Sequence, residues 1–280
     1  EPETPPTETA SLTPPSEEST IDAARGAAVE DLRAAAPAPT GTGATCAADV
    51  ASSAAAGGAS QITVISPCRA GEVFRLAHGP LTFDIRFDGD GEARMVLPVL
   101  SETDGVSASF EDGSTADAEV NVNWRELAKT RRVAVAWTDQ VDLDLHAFEY
   151  AASYGAEGHV WEDQPRGFRL VKRSGGGYLD SFPALAAGGQ SIEVYTFWTS
   201  RRAPRGITRI ALDHASRGAQ PEGDYCDDGA LATPGYVVVQ SIGGVAEAAT
   251  RGRFSAARCG EVLDPEARYS AGALLDLEID

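Results

Sequence analysis

Trp137-Thr-Asp-Gln-Val-Asp-Leu-Asp-Leu-His146 is the stretch on which the fold class turns. From Val141 to His146 it alternates strictly. Val141, Leu143 and Leu145 fall on one face of a strand, and Asp142, Asp144 and His146 on the other. Two carboxylates at i and i+2 on one strand face stand roughly 7 Å apart. They repel unless water, a cation or hydrogen-bond donors separate them. The segment therefore reads as half core and half site.

Working outward, the region from Arg131 onward is rich in β-forming segments. Candidate strands are 132–137, 141–149, 158–161, 168–173, 190–198, 207–213, 236–243, 249–258 and 273–279. Turn signals separate them every ten residues or so, which favours a β-sandwich over a parallel sheet covered by helices. Upstream, shorter strands are expected at 61–66, 72–77, 81–87, 94–97, 106–110 and 118–122, with Asp88-Gly-Asp-Gly91 as a hairpin turn. The acidic spacing of Asp88, Asp90 and Glu92 is not an EF-hand loop, because Val99 stands at the twelfth position, where a bidentate Glu is required.

Residues 1–20 are rich in Pro, Thr, Ser and Glu and hold no basic residue. Such a segment buries too little apolar area to offset its ordering entropy, so it is expected to be a disordered acidic spacer. Ser19-Thr-Ile-Asp22 has the form of a loose capping box. Ile21, Ala24, Ala28, Leu32 and Ala35 behind it recur at the spacing of a short helix, which Pro37 and Pro39 end. An Ala/Gly/Thr linker follows. The reading is all-β: a spacer with a short helix over 1–42, a small β-module over 43–124 and a larger β-sandwich over 125–280.

The 280 residues carry 42 acidic and 23 basic side chains, a net charge of −19. That balance argues against nucleic acid and anionic membrane surfaces as partners, since both need a basic footprint. No apolar run approaches the length that spans a bilayer. The chain begins at Glu1 without an export segment, so processing or truncation is expected, and an upstream membrane anchor is compatible with the sequence. Cys46, Cys68, Cys226 and Cys259 form no CxxC pair. Their even number suits an oxidising compartment, and their local spacing favours Cys46–Cys68 and Cys226–Cys259 among three connectivities.

Arg132-Val-Ala-Val-Ala-Trp137 followed by Val141-Asp-Leu-Asp-Leu-His146 resembles the opening of the β-sandwich domain of unknown function in YfaP-like bacterial envelope proteins. Gly177-Tyr-Leu-Asp180 and Ile192-Glu-Val-Tyr195 match its later segments, so the resemblance covers about 131–200. After the His this chain reads Ala147-Phe-Glu-Tyr rather than the family's Asp-Pro-x-Gly. The small module, through Gly71-Glu-Val-Phe-Arg, Leu81-Thr-Phe and Asp90-Gly-Glu-Ala-Arg-Met-Val-Leu-Pro98, resembles Ig-like or transthyretin-like modules of envelope proteins. These resemblances imply a non-catalytic, periplasmic or extracellular protein with a protein partner in the cell envelope.

Three readings of Asp142 and Asp144 stand side by side. One is a Ca²⁺ site completed by Asp180 or Glu193 and loop carbonyls, since hard oxygen ligands suit calcium. Another is ion pairing with Arg131, Arg132 or a neighbouring strand's arginine. The third is capping of loop N–H groups. His146 and His159 with one of these aspartates would resemble a zinc set; a strand-borne His is more often a hydrogen-bonded structural residue. No Gly-x-Ser-x-Gly elbow occurs, although 42 acidic residues leave a glycosidase pair open. Arg201, Arg202 and Arg205, after Trp198, are a basic cluster that could meet an anionic polymer or acidic face, or form a solvated loop. Trp137, Trp161 and Trp198 could build a sugar-stacking platform, but Trp137 is in phase with Val133 and Val135 and reads as core. The rival to a binding or assembly component is a carbohydrate-binding or carbohydrate-active protein using exposed aromatics and carboxylates.

Overall fold

The computed structural model describes residues 46–138, 143–199, 206–214, 235–253 and 273–279. The 1–42 spacer and its short helix, together with Asp142, Arg201, Arg202, Arg205, Cys226 and Cys259, lie outside the described residues. Seventeen strands are seen among the described residues. They are β1 Asp49–Ala55, β2 Ala59–Ile65, β3 Val73–His78, β4 Leu81–Arg86, β5 Glu92–Leu97, β6 Val106–Ser109, β7 Thr115–Ala118, β8 Thr130–Trp137 and β9 Leu143–Glu149. Then come β10 His159–Val160, β11 Gly176–Phe182, β12 Ser191–Trp198, β13 Gly206–His214, β14 Gly235–Ile242, β15 Val245–Ala246, β16 Thr250–Arg253 and β17 Ala273–Ile279. Two short helices, α1 Trp124–Leu127 and α2 Phe168–Ser174, interrupt them. The protein is an all-β sandwich. No helix among the described residues is long and apolar enough to cross a membrane.

The strands form antiparallel sheets in the orders β1-β2-β5, β4-β3-β6-β7, β11-β12-β8-β14-β15 with β16 also on β14, and β10-β9-β13-β17. The third is central, and its residues alternate between two cores. On one side Ala134, Ala136, Ile192, Val194 and Val239 pack with Ile62, Phe74, Leu76, Phe83 and Leu97 of the two smaller sheets. On the other, Val133, Val135, Trp137, Tyr195, Phe197 and Val238 pack with Leu143, Leu145, Ile210 and Leu212 of the β9–β13 sheet. The stretch Val-Ala-Val-Ala-Trp thus presents large side chains to one layer and alanines to the other. The alanines let the first layer approach closely. The described residues from Cys46 onward form one compact unit, and the first core draws on both sides of the 124/125 boundary expected between modules.

One charged side chain ties these layers together. Arg132 is fully buried. Its Nη1 donates to the Val99 carbonyl at 2.5 Å, its Nη2 to the Gly57 carbonyl at 2.7 Å, and its Nε to Thr196 Oγ1 at 3.2 Å. Ser241 on the neighbouring strand donates to the Leu100 carbonyl. A polar row on the central sheet therefore satisfies loop carbonyls of the first layer that would otherwise be buried without donors.

Several expectations need correction. Asp88-Gly-Asp-Gly91 does not close a hairpin, because β4 pairs with β3 and β5 with β2. It turns a corner between sheets, where Asp88 Oδ1 accepts the N–H groups of Asp90 and Glu92. Residues 168–173 form α2 instead of a strand. Helical spacing sets Phe168 and Val171 together against Tyr178 and Trp198, and Gly175 with φ of 79° ends the turn. Residues 49–55, read as linker, form β1 in full register with β2. The Cys46–Cys68 disulfide is formed, with Cα atoms 6.1 Å apart, and joins the segment before β1 to the short helical turn after β2.

Candidate functional site

The alternation in β9 predicts one face in the core and the other at a surface or a site. Leu143, Leu145 and Ala147 do face the inner core. The opposite face is covered as well, for Asp144 is 5 % and His146 1 % exposed. Asp144 lies directly across from Asp213 on β13, and His146 across from Ala211. The carboxylate is therefore placed in a low-dielectric layer instead of at a surface.

His146 and His159 come together because β10 pairs with β9, placing His159 opposite Phe148. His146 Nδ1 and His159 Nε2 are 2.9 Å apart. Gly155 N–H donates to His159 Nδ1 at 3.0 Å. An accepting Nδ1 puts the proton of a neutral His159 on Nε2, so His159 donates to His146. Burial pushes the His159 pKa down to about 4, so the neutral form prevails at physiological pH. Its ring stacks on Phe148 at 4.4 Å between centroids and on Trp161 at 5.2 Å. Two nitrogens aimed at each other in a hydrogen bond serve the fold of the β9–β10 pair.

Glu193 sits on the inner face of β12 in phase with Tyr195 and Phe197. Its Oε2 accepts Leu145 N–H at 2.5 Å, bridging the central sheet to β9, and its Oε1 accepts Ser181 O–H at 3.0 Å. Burial pushes its pKa up to about 8, and the charge of nearby Asp144 pushes the same way. The charge of Asp144 thus reaches Glu193, though no direct contact between them is seen among the described residues. Asp180 is not beside Glu193: it pairs in register with Val194, on the other face of the central sheet, where it feels the charge of Arg132. Burial raises the Asp180 pKa to about 6. The four carboxylates named for calcium divide accordingly into two described residues, a third across the sheet and Asp142 outside the described residues. Among the described residues no group of three or more His, Cys, Asp or Glu side chains is placed to hold a metal ion.

Glu149 is a site residue that sequence reasoning passed over. Its Oε1 accepts Tyr195 O–H at 2.7 Å and Gly177 N–H at 2.5 Å, and its Oε2 pairs with Arg166 Nη1 at 2.9 Å. Arg166 also donates to the Glu157 carbonyl, so one buried carboxylate fastens the loop that follows β9. The signal was available: Glu149 falls in phase with Leu143, Leu145 and Ala147, the core-facing positions. Trp198, proposed for binding, is buried against Phe168, Tyr178 and Val171, with Lys129 Nζ 5.6 Å from its ring centre.

No protein-family model matches the chain, and no curated protein matches it.

Proposed function

We propose that this chain is a non-catalytic component exported to the periplasm or beyond, working by binding or assembly with a partner in the cell envelope. The observation that carries this reading is the engagement of the buried polar groups that chemistry would need. Glu149 and Glu193 accept backbone and side-chain donors that hold strands together, and His146 and His159 bond to each other. The Cys46–Cys68 bridge suits an oxidising compartment, and the charge of −19 suits a protein partner better than nucleic acid or an anionic membrane. The carbohydrate reading asked for facing carboxylates beside an exposed Trp; Trp137 and Trp198 are buried, Trp161 is half-buried, and Trp124 is exposed on α1.

The test is chemical cross-linking in intact native cells, followed by fractionation and mass spectrometry. The reading expects the chain in an extracytoplasmic fraction, joined reproducibly to one envelope component. Recovery in the cytoplasm with Cys46 and Cys68 reduced contradicts it.

A further inference from the structure

The two short helices meet at one end of the central sheet. α1 leads into β8 and α2 into β11, and the register of Gly176 with Trp198 and of Trp198 with Thr130 puts both strand starts at that end. The β1–β2 turn touches both: Gly57 N–H donates to Glu126 of α1 at 2.8 Å, and a Cβ on Gly57 would stand 3.1 Å from Phe168 Cδ2 of α2. Lys172 of α2 reaches Glu126 Oε1 at 3.3 Å. Lys129, just past α1, lies over the Trp198 ring at 5.6 Å, and Lys172 over the Phe168 ring at 5.5 Å. Those two rings meet edge to face at 5.0 Å between centroids. The helices therefore form one continuous surface.

That surface is basic. Arg125, Lys129, Arg169, Lys172 and Arg173 are all exposed. Against these five, residues 124–129 and 168–174 hold one acid, Glu126. Phe168 and Val171 face inward. Helical spacing then turns Arg169 and Arg173, at i and i+4, outward on one stripe, with Leu170, 48 % exposed, along its border. Local stability does not account for the stripe. Like charges at i and i+4 destabilise a helix. Lys172 and Arg173 suit the dipole at the end of α2, but Arg169 stands in the first turn, where the dipole repels a cation.

We propose that the α1–α2 surface docks an acidic segment of a partner protein, one that mixes carboxylates with apolar side chains. The guanidinium forks of Arg169 and Arg173 match carboxylates. Leu170 gives an apolar side chain of the same segment a place to pack, which a sulfated glycan would not use. Screening limits each field to about 8 Å at physiological salt. A segment in contact therefore meets the basic patch, whereas an extended anionic membrane faces the chain's net charge of −19. The inference rests on the partner reading above and adds the surface and the chemistry of what it takes.

The test is titration of the full chain against four probes: a short soluble peptide of glutamates with interspersed leucines, poly-L-glutamate, heparin, and phosphatidylglycerol vesicles. The Glu/Leu peptide should bind saturably, weaken as salt rises, and bind more tightly than the other three. Arg169→Gln with Arg173→Gln should weaken it about fivefold or more. Leu170→Ser should bring its affinity down to that of poly-L-glutamate. Arg86→Gln with Arg94→Gln, an equal loss of charge on exposed arginines of β4 and β5, should leave it unchanged. All of these are surface changes, so the unfolding midpoints should match the parent's. Absence of saturable peptide binding overturns the proposal. So does unchanged affinity in the folded arginine or Leu170 variants, an equal loss in the control pair, or heparin or vesicles binding as tightly as the peptide. Peptide binding without an envelope adduct in cells would end the partner reading and leave this surface standing; an adduct without peptide binding would do the reverse.

Discussion

Replacing Glu193 by Gln should stabilise this protein, and do so only where the carboxyl would ionise. In the folded chain the Glu193 pKa stands at about 8 against an ordinary 4.5, chiefly because the group is buried. The folded state therefore holds a proton that the unfolded chain releases as pH rises above 4.5. Stability contributed by this group is present below that pH and is lost between 4.5 and 8. At pH 7 the loss is about 3 kcal/mol, from roughly 2.5 units at 1.36 kcal/mol each. Gln keeps both contacts: its carbonyl can accept Leu145 N–H, and its amide can donate to Ser181 Oγ. For a domain of this size 1 kcal/mol moves the unfolding midpoint by about 2–4 °C. Glu193→Gln should then raise the midpoint by about 6–12 °C at pH 7 and by nearly nothing at pH 4.5. Calorimetry of both proteins across that range is the assay. An equal shift at both pH values, or destabilisation at pH 7, refutes the reasoning.

Arg132→Leu should destabilise the fold by on the order of 3–5 kcal/mol, because the Val99 and Gly57 carbonyls lose their donors; urea unfolding measures it. Ala134→Leu should cost about 1–3 kcal/mol by overfilling the layer between the central sheet and the first core, read in the same assay, and a neutral outcome would deny that close approach. His159 is kept neutral down to about pH 4, so the unfolded chain takes up its proton first and stability falls as pH drops from 6.5 toward 4, by up to about 3 kcal/mol. His159→Asn should flatten this part of the pH profile relative to the parent. Non-reducing peptide mapping should yield Cys46 linked to Cys68 and, by the spacing argument, Cys226 linked to Cys259; free thiols at the second pair would reject it.

The all-β class and most strands were legible because alternation and turn residues are local signals. Val133-Ala-Val-Ala-Trp137 and Leu81-Thr-Phe-Asp-Ile-Arg were found for that reason. What escaped depends on partners remote in the chain. A strand buried on both faces can still alternate in polarity, so β9 read as half core and half site although both of its faces are covered. Asp88-Gly-Asp-Gly91 carries the residues of a hairpin turn, but only the pairing of β4 with β3 and of β5 with β2 reveals a corner. Residues 49–55 are mostly Ala and Ser, poor strand formers that pair because β2 offers a template. At the candidate site, the separation of Asp180 from Glu193 follows from register, which composition does not encode. Glu149 and Glu193 were readable in principle, as charged residues standing in core phase.

The account holds that Glu193 and its neighbours serve the fold while function lies in binding elsewhere on the molecule. Glu193→Gln tests this most directly, because it is expected to leave the protein folded and more stable at pH 7. Placed in the native cell in exchange for the parent gene, the variant should give the same cross-linked envelope component in the same yield as the parent. A folded, stabilised variant that loses that adduct would make Glu193 a functional group and contradict the account.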